Sequence, residues 1–398
     1  MNIRARRGDS FWYYSRLFNI PLNLITDSNP TVDAGLLQIG QIVRIPGYFV
    51  NFYTIQPGDS LWRISNQLEV SVDTLYLVNP TLNPYALQIG QTINVPFRVH
   101  RPIVEGKRAY GYNSLVNDIR QLTEIYPFLT SRSIGNSVMG KNLIELSIGR
   151  GAKKVHMNGS FHAHEWITTP LLMQTLNQYL LALTNMQPIR GWDVSPFYES
   201  VFLSIVPMVN PDGVDLLIEG LPDEEPYRSE VLEINNQSTD FSGWKANIRG
   251  VDLNNQYPAL WEEEQEISDK PDQPAPRDFP GPAPLTEPES IAMAELTDVS
   301  GFHRALAFHT QGRVIYWGFQ GLEPPEAETI VTEFARVSSY EPIQYVESYA
   351  GYKDWFIQEW RRPGFTIELG EGENPLPIGQ FDEIYEESLG IFLASLYM

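Results

Sequence analysis

One short unit occurs twice at the start of the chain, without a gap, and this limits the possible folds more than any other feature. Gly8-Asp9-Ser10 returns as Gly58-Asp59-Ser60, Asn29-Pro30 as Asn79-Pro80, and Gln38-Ile39-Gly40-Gln41 as Gln88-Ile89-Gly90-Gln91. Ile45-Pro46 returns as Val95-Pro96, and every pair is displaced by 50 residues. In the second copy Phe52-Tyr53-Thr54-Ile55 reads as a short strand. Asp59 or Ser60 caps a helix whose apolar face includes Leu61, Ile64 and Leu68. Val72 to Val78 predicts a second helix that ends before Asn79-Pro80, and Leu87 to Gln91 turns into a last strand, Thr92 to Val95. Each unit is therefore a small βααβ module.

This pattern resembles the LysM domain over residues 1–48 and 52–97, with GDSLWRIS, VNPTLNP and LQIGQTINVP as its specific segments. The resemblance implies binding of N-acetylglucosamine chains in peptidoglycan or chitin. The first copy is worn at its start, where Arg4-Ala5-Arg6-Arg7 replaces Tyr53-Thr54-Ile55-Gln56 of the second, so weaker sugar binding is expected there. Packing or dimerisation is the alternative use for such units.

Residues 98–108 read as a polar linker, and the pattern changes from Ala109 onward. Helices with apolar spacing, Leu171–Leu183 and Phe381–Leu396, alternate with β-rich runs at Lys154–Asn158, Val201–Val209, Arg304–His309, Arg313–Trp317 and Phe365–Leu369. Residues 109–398 thus predict an α/β domain, a mixed, mainly parallel sheet with helices on both faces. Trp261–Pro284, rich in Glu, Asp and Pro, reads as a long surface loop.

Composition narrows the chemistry. A formal net charge of -21 argues against nucleic acid and anionic membrane surfaces as partners. No apolar segment is long enough to cross a bilayer, and no apolar region follows the basic residues near Met1, so a soluble, leaderless chain is expected. With no cysteine, a metal must be held by His, Asp or Glu, and only six histidines exist: His100, His156, His162, His164, His303 and His309.

The sharpest signal is His162-Ala163-His164-Glu165-Trp166, directly after Asn158-Gly159-Ser160. His162 and Glu165, three apart, can point at one spot in the first turn after a strand. Zn²⁺ accepts a His/His/Glu set with one position left for water, and His309, ending the run Ala305 to Phe308, is the candidate third ligand. Glu368 ends another strand-like run, Phe365-Thr366-Ile367, although an ion pair with Arg361 or Arg362 competes for it. All lie at or just after strand C-termini, where open α/β sheets build sites. A His162-x-His164 metal pair in an amidohydrolase-like barrel is a competing reading, but it leaves Glu165 unexplained.

Over residues 109–398 the sequence resembles the M14 family of zinc carboxypeptidases. The resemblance is carried in order by Ile134 to Ser137 with Gly140-Lys141, by FHAHEW, by Asn210-Pro211-Asp212-Gly213, by Gly250 to Asn254, by LTEPES around Ser290, and by FTIEL. It implies one Zn²⁺ held by His162, Glu165 and His309, with Glu368 as the catalytic base. It also implies a cation for the oxyanion, for which Lys245 fits by distance from Asp252 and Arg249 by chemistry. Asn254-Asn255 stands where typical members have Asn-Arg, which removes a bidentate clamp for a terminal carboxylate. Lys353 falls where the family reads the residue after the cleaved bond, and Tyr345, Tyr349 and Tyr352 compete for the family's mobile tyrosine. These departures resemble the branch that cleaves γ-D-glutamyl-diaminopimelate bonds. The implied partner is bacterial peptidoglycan, its glycan on the LysM modules and its stem peptide in the active site. Wall or spore association is expected, with the cytoplasm as the other location for a leaderless chain. The alternatives are a general metallocarboxypeptidase and a non-catalytic wall-binding protein.

Overall fold

The computed structural model describes residues 1–267 and 270–398 and divides into two compact units. The first comprises Met1–Ile103, Asp118–Thr130 and Asn177–Ser195, and the second Val104–Asn117, Ser131–Leu176 and Pro196–Met398.

In the first unit, strand β1 (Asn2–Arg4) pairs antiparallel with β2 (Ile42–Arg44), and β3 (Tyr48–Thr54) with β4 (Thr92–Arg98). Each pair encloses two short helices, Phe11–Phe18 with Leu22–Asp27 and Leu61–Gln67 with Val72–Val78. The repeated residues make repeated bonds. Ser10 and Ser60 cap their helices by accepting from Tyr13 N and Arg63 N, each at 3.1 Å. Asn29 Oδ1 accepts from Arg44 N and Asn79 Oδ1 from Asn94 N, each at 2.8 Å, which ties a helix end to the closing strand in both copies. Gly40 and Gly90 both adopt φ +84, a left-handed turn position that favours glycine.

The worn start of the first copy keeps the architecture. Ile3 and Ala5 are buried while Arg4 is exposed, so alternation survives the basic residues. Gly40 N donates to Ala5 O at 2.7 Å, as Gly90 N donates to Ile55 O at 2.9 Å. In the second copy β3 starts at Tyr48, earlier than the apolar run at Phe52 suggested, and β4 extends to Arg98. The added residues pair with each other, with Phe49 stacked on Phe97 at 5.9 Å.

The second unit is built on an eight-stranded sheet. Its strands are β5 (Thr130–Asn136), β6 (Asn142–Ile148), β7 (Lys153–Gly159), β8 (Val201–Val206), β9 (Arg304–His309), β10 (Val314–Tyr316), β11 (Glu341–Ile343) and β12 (Gly364–Glu368), in the spatial order β11-β10-β12-β9-β7-β8-β6-β5. The central run β12-β9-β7-β8 is parallel, whereas β10 meets β12 and β6 meets β8 antiparallel. The sheet is mixed and mainly parallel at its centre, as the pattern predicted. Residues Ala305 and Ala307 of β9 belong to a core with Tyr352, Trp355, Phe356 and Ile357 of the helix Tyr352–Trp360. On the opposite face Phe365 of β12 meets Phe334 of the helix Glu326–Ser338, ring centroids 5.0 Å apart. Helices therefore cover both faces.

Trp261–Pro284 is more than a surface loop. It begins with a helix, Trp261–Ile267, and Glu264, Phe279, Pro280 and Gly281 are buried. Residues 268 and 269, within that expected loop, lie outside the described residues.

Candidate metal centre

Three adjacent parallel strands bring the predicted site together. His309 ends β9, Glu368 ends β12, and the two are register partners. Side chains alternate along a strand, so His309 and Glu368 share the face of Ala305, Ala307 and Thr366. Next to them β7 ends at Gly159. Ser160 takes φ +50, and a 3₁₀ turn, Ala163–Glu165, follows before the helix Thr168–Asn185. A 3₁₀ turn eclipses positions three apart, which places His162 and Glu165 on one side.

Thr168 Oγ1 accepts from Ser160 N at 2.8 Å and donates to Glu165 O at 2.9 Å, which holds that turn. Asn210 supports it from below: its Nδ2 donates to Phe161 O at 3.2 Å and Ala246 O at 2.9 Å, and its Oδ1 accepts from Gly213 N at 3.0 Å. Gly213 is required there, because a Cβ would lie 2.6 Å from Ala246 O. Ala163 N donates to Lys245 O at 3.0 Å, which joins the turn to the segment carrying the candidate cations.

His162, Glu165 and His309 form a buried group whose ligand atoms lie within 4.8 Å of one another. His162 Nδ1 is 2.8 Å from Glu165 Oε1, His309 Nδ1 is 2.9 Å from Glu165 Oε2, and the two Nδ1 atoms are 3.2 Å apart. Tetrahedral zinc with bonds of about 2.0–2.1 Å separates its ligands by about 3.3 Å, so the donors already converge on a metal's coordination shell. Their charge fits as well. Burial opposes a charge on His162, but the carboxylates of Glu165 and Asp252 outweigh it and push its pKa up to about 9. A metal bound there would displace that proton. Burial acts against Glu165 too, yet the two histidines hold its pKa far below the usual range.

His162 Nε2 lies 3.2 Å from Asp252 Oδ1, the carboxylate–histidine pairing that orients a metal ligand. Asp252 Oδ2 is 2.7 Å from Lys245 Nζ, and Lys245 Nζ is 2.8 Å from Asp278 Oδ1. Burial disfavours the Lys245 charge, but these two carboxylates raise its pKa above the ordinary lysine value. Arg249 is half-exposed, with Nη1 3.6 Å from Glu287 Oε2. Of the two candidate cations, Lys245 is the one tied to the metal group.

Glu368 is partly buried. Burial first, and then the charge of Glu165, raise its pKa to about 8 against the opposing pull of His162 and Lys245. A carboxyl tuned near neutrality suits proton transfer. His164 is buried but stands outside the ligand group, its ring edge-on to His162 with centroids 6.1 Å apart, so the His162-x-His164 metal pair is not formed.

The expected substrate residues divide. Tyr345 and Tyr349 line a cavity of 620 Å³ with Gly318, Phe319 and Asp354. Tyr345 is exposed, with its hydroxyl donating to Glu323 Oε1 at 2.8 Å, and Tyr349 packs edge-on against Phe319. Tyr352, by contrast, is a core residue. It is fully buried among Phe161, Tyr257 and Trp355, and its hydroxyl meets Thr297 Oγ1 at 2.8 Å. Lys353 is also buried, its ammonium 2.5 Å from Asp354 Oδ1 and donating to Gly318 O at 2.9 Å. A lysine in so dry a place needs an internal partner, and Asp354 supplies it. Asn254 Oδ1 accepts from Tyr352 N at 3.1 Å, and the backbone carbonyl of Asn255 accepts from Trp261 Nε1 at 3.0 Å.

Two residues were not read as part of the site. Asp252 was visible only as a landmark in Gly250-Val251-Asp252. Asp278 had no signal at all, being one acid in an acidic, proline-rich stretch.

The zinc carboxypeptidase family profile matches residues 115–390, and the LysM domain profile matches residues 3–46 and 53–96. The chain is 61% identical over 398 residues, all of both chains, to gamma-D-glutamyl-L-diamino acid endopeptidase 1 of Lysinibacillus sphaericus. It is 44% identical over 298 residues to the uncharacterized protein YqgT of Bacillus subtilis (strain 168), covering 74% of this chain and 79% of that one. Among solved structures, carboxypeptidase A from Helicoverpa armigera shares the fold at 16% identity, with a TM-score of 0.54 over 84% of this chain and 81% of that one.

Proposed function

Because the chain belongs to the zinc carboxypeptidase family, we propose that it hydrolyses the peptide part of peptidoglycan at the bond between γ-D-glutamate and the diamino acid. The observation that carries this reading is the full-length 61% identity to a γ-D-glutamyl-L-diamino acid endopeptidase, in a chain that keeps His162, Glu165, His309 and Glu368 as one cluster. Two LysM domains ahead of the peptidase domain support the same polymer as substrate. They direct the enzyme to glycan chains and so to the cell wall or spore wall. No helix among the described residues is long and apolar enough to cross a membrane.

His162, Glu165 and His309 hold one zinc ion. Bound zinc supplies a Lewis acid for the scissile carbonyl and an acidified water. Glu368 accepts the proton of the attacking water at its carboxylate and returns it to the leaving amine. Lys245 directs its ammonium toward the oxygen on which negative charge develops. Asp252 keeps His162 in the tautomer whose Nδ1 is free to bind. Asn255, an uncharged residue, gives no carboxylate clamp, which suits cleavage within a stem peptide over removal of a C-terminal residue. Tyr345 and Tyr349 border the cavity that takes the diamino acid side. Lys353 shapes that cavity through Asp354 and Gly318 in place of pairing directly with the substrate.

The test is mass spectrometry of defined muropeptides digested by the zinc-loaded protein. Products split between γ-D-glutamate and the diamino acid support the assignment. Stepwise loss of single C-terminal residues would instead identify a general carboxypeptidase.

A further inference from the structure

Asp278 lies outside every segment that marks the site in sequence, yet the backbone around it is pinned to the site. Pro276 O accepts from Lys245 N at 2.8 Å and from Ala246 N at 3.0 Å, and Phe279 O accepts from Asp252 N at 2.7 Å. The residues flanking Arg277-Asp278 are thus bonded to Lys245 and Asp252, which share an ion pair. Asp278 itself takes φ +66, a left-handed conformation that aspartate tolerates better than most residues. Both carboxylate oxygens are engaged: Oδ1 is 2.8 Å from Lys245 Nζ, and Oδ2 accepts from Arg277 Nε at 3.1 Å.

A lysine ammonium is a rotor with three equivalent donors on a flexible stem, unlike the rigid fork of arginine. Asp278 Oδ1 accepts a hydrogen bond from Lys245 Nζ, and Asp252 Oδ2 forms an ion pair with it at 2.7 Å, so contacts to two carboxylates hold the ammonium in one orientation. We propose that Asp278 is a positioning residue, the second anchor that holds the Lys245 ammonium so that a free N–H faces the developing oxyanion. This inference rests on the reading of Lys245 as the oxyanion cation. Preorganised donors stabilise a transition state because they need no reorientation as charge develops. Such a gain falls on kcat and leaves KM little changed.

The test compares steady-state cleavage of a γ-D-glutamyl-diaminopimelate peptide by zinc-loaded full-length enzyme and variants. Asp278→Gly removes the carboxylate and accepts the same φ, while Asp278→Asn keeps a neutral acceptor. Asp278→Gly should lower kcat about tenfold with KM within about twofold, and Asp278→Asn should lose less. Zinc content and melting temperature should stay at the wild-type values. In a Lys245→Arg background the rigid guanidinium needs no second anchor, so adding Asp278→Gly should change kcat by less than about twofold. An unchanged or raised kcat in Asp278→Gly overturns the proposal, as does an equal loss in both backgrounds or a loss that follows zinc. Lys245→Met separates the two readings. If it leaves kcat intact, the role of Lys245 itself fails. If it abolishes turnover while Asp278→Gly has no effect, only the anchor fails.

Discussion

Replacing Asp252 by asparagine tests how the buried charges at the metal centre depend on one another. Asp252 Oδ1 faces His162 Nε2 at 3.2 Å and accepts from Asn254 N at 3.0 Å, while Oδ2 faces Lys245 Nζ at 2.7 Å. Asparagine keeps the shape. With its oxygen toward His162 and Asn254, its NH₂ confronts the Lys245 ammonium, donor against donor. Breaking a buried ion pair costs about 3–5 kcal/mol, and because Lys245 retains Asp278 the expected loss is nearer 2 kcal/mol. In metal-free protein that should appear as a fall in melting temperature of about 2–3 °C. His162 also loses the negative partner that makes it a strong ligand. Zinc affinity should weaken by about 10- to 100-fold, as for other residues behind a metal ligand, or about 1.4–2.7 kcal/mol. Competition against a zinc-buffering chelator gives the affinity, and calorimetry of the stripped protein gives the stability. Zinc affinity within twofold of wild type, together with an unchanged melt, would refute the claim that Asp252 acts through His162 and Lys245.

Other variants probe separate parts of the site. Glu368→Gln should keep its zinc, measured by metal analysis, while turnover drops by about 10² or more; near-normal turnover would assign the base elsewhere. His162→Ala should lose metal and activity together, so full zinc occupancy in that variant would contradict the ligand set. Away from the metal, burial raises the pKa of Glu289 from 4.5 to about 8, with the charges of Asp212 and Glu287 adding to it. A carboxyl that holds its proton more tightly when folded makes the protein less stable as pH rises from about 4.5 to about 8. Glu289→Gln should therefore melt progressively higher than wild type across that window, and parallel pH profiles would show that Glu289 does not titrate there.

Much of this protein was decided by local sequence. The 50-residue repeat determined two βααβ modules, because a side-chain cap at Ser10 or Ser60 and a left-handed glycine at Gly40 or Gly90 act within a few residues. The spacing of His162 and Glu165 likewise determined a shared face, and the strand-like runs before His309 and Glu368 placed both at strand ends. Tertiary structure alone decided which residues those ends meet. β9 and β12, distant in the chain, had to pair in parallel before His309 and Glu368 stood side by side. Lys245 was separated from Arg249 only by the fold, which pairs one with both Asp252 and Asp278 and leaves the other half-exposed. Tyr352 and Lys353 read as substrate residues from their segment, but the helix Tyr352–Trp360 turns both inward. Asp278 could not have been found from its neighbours in sequence. An ionic partner is chosen by distance in space and by the low dielectric around it, and neither is written in a proline-rich acidic stretch.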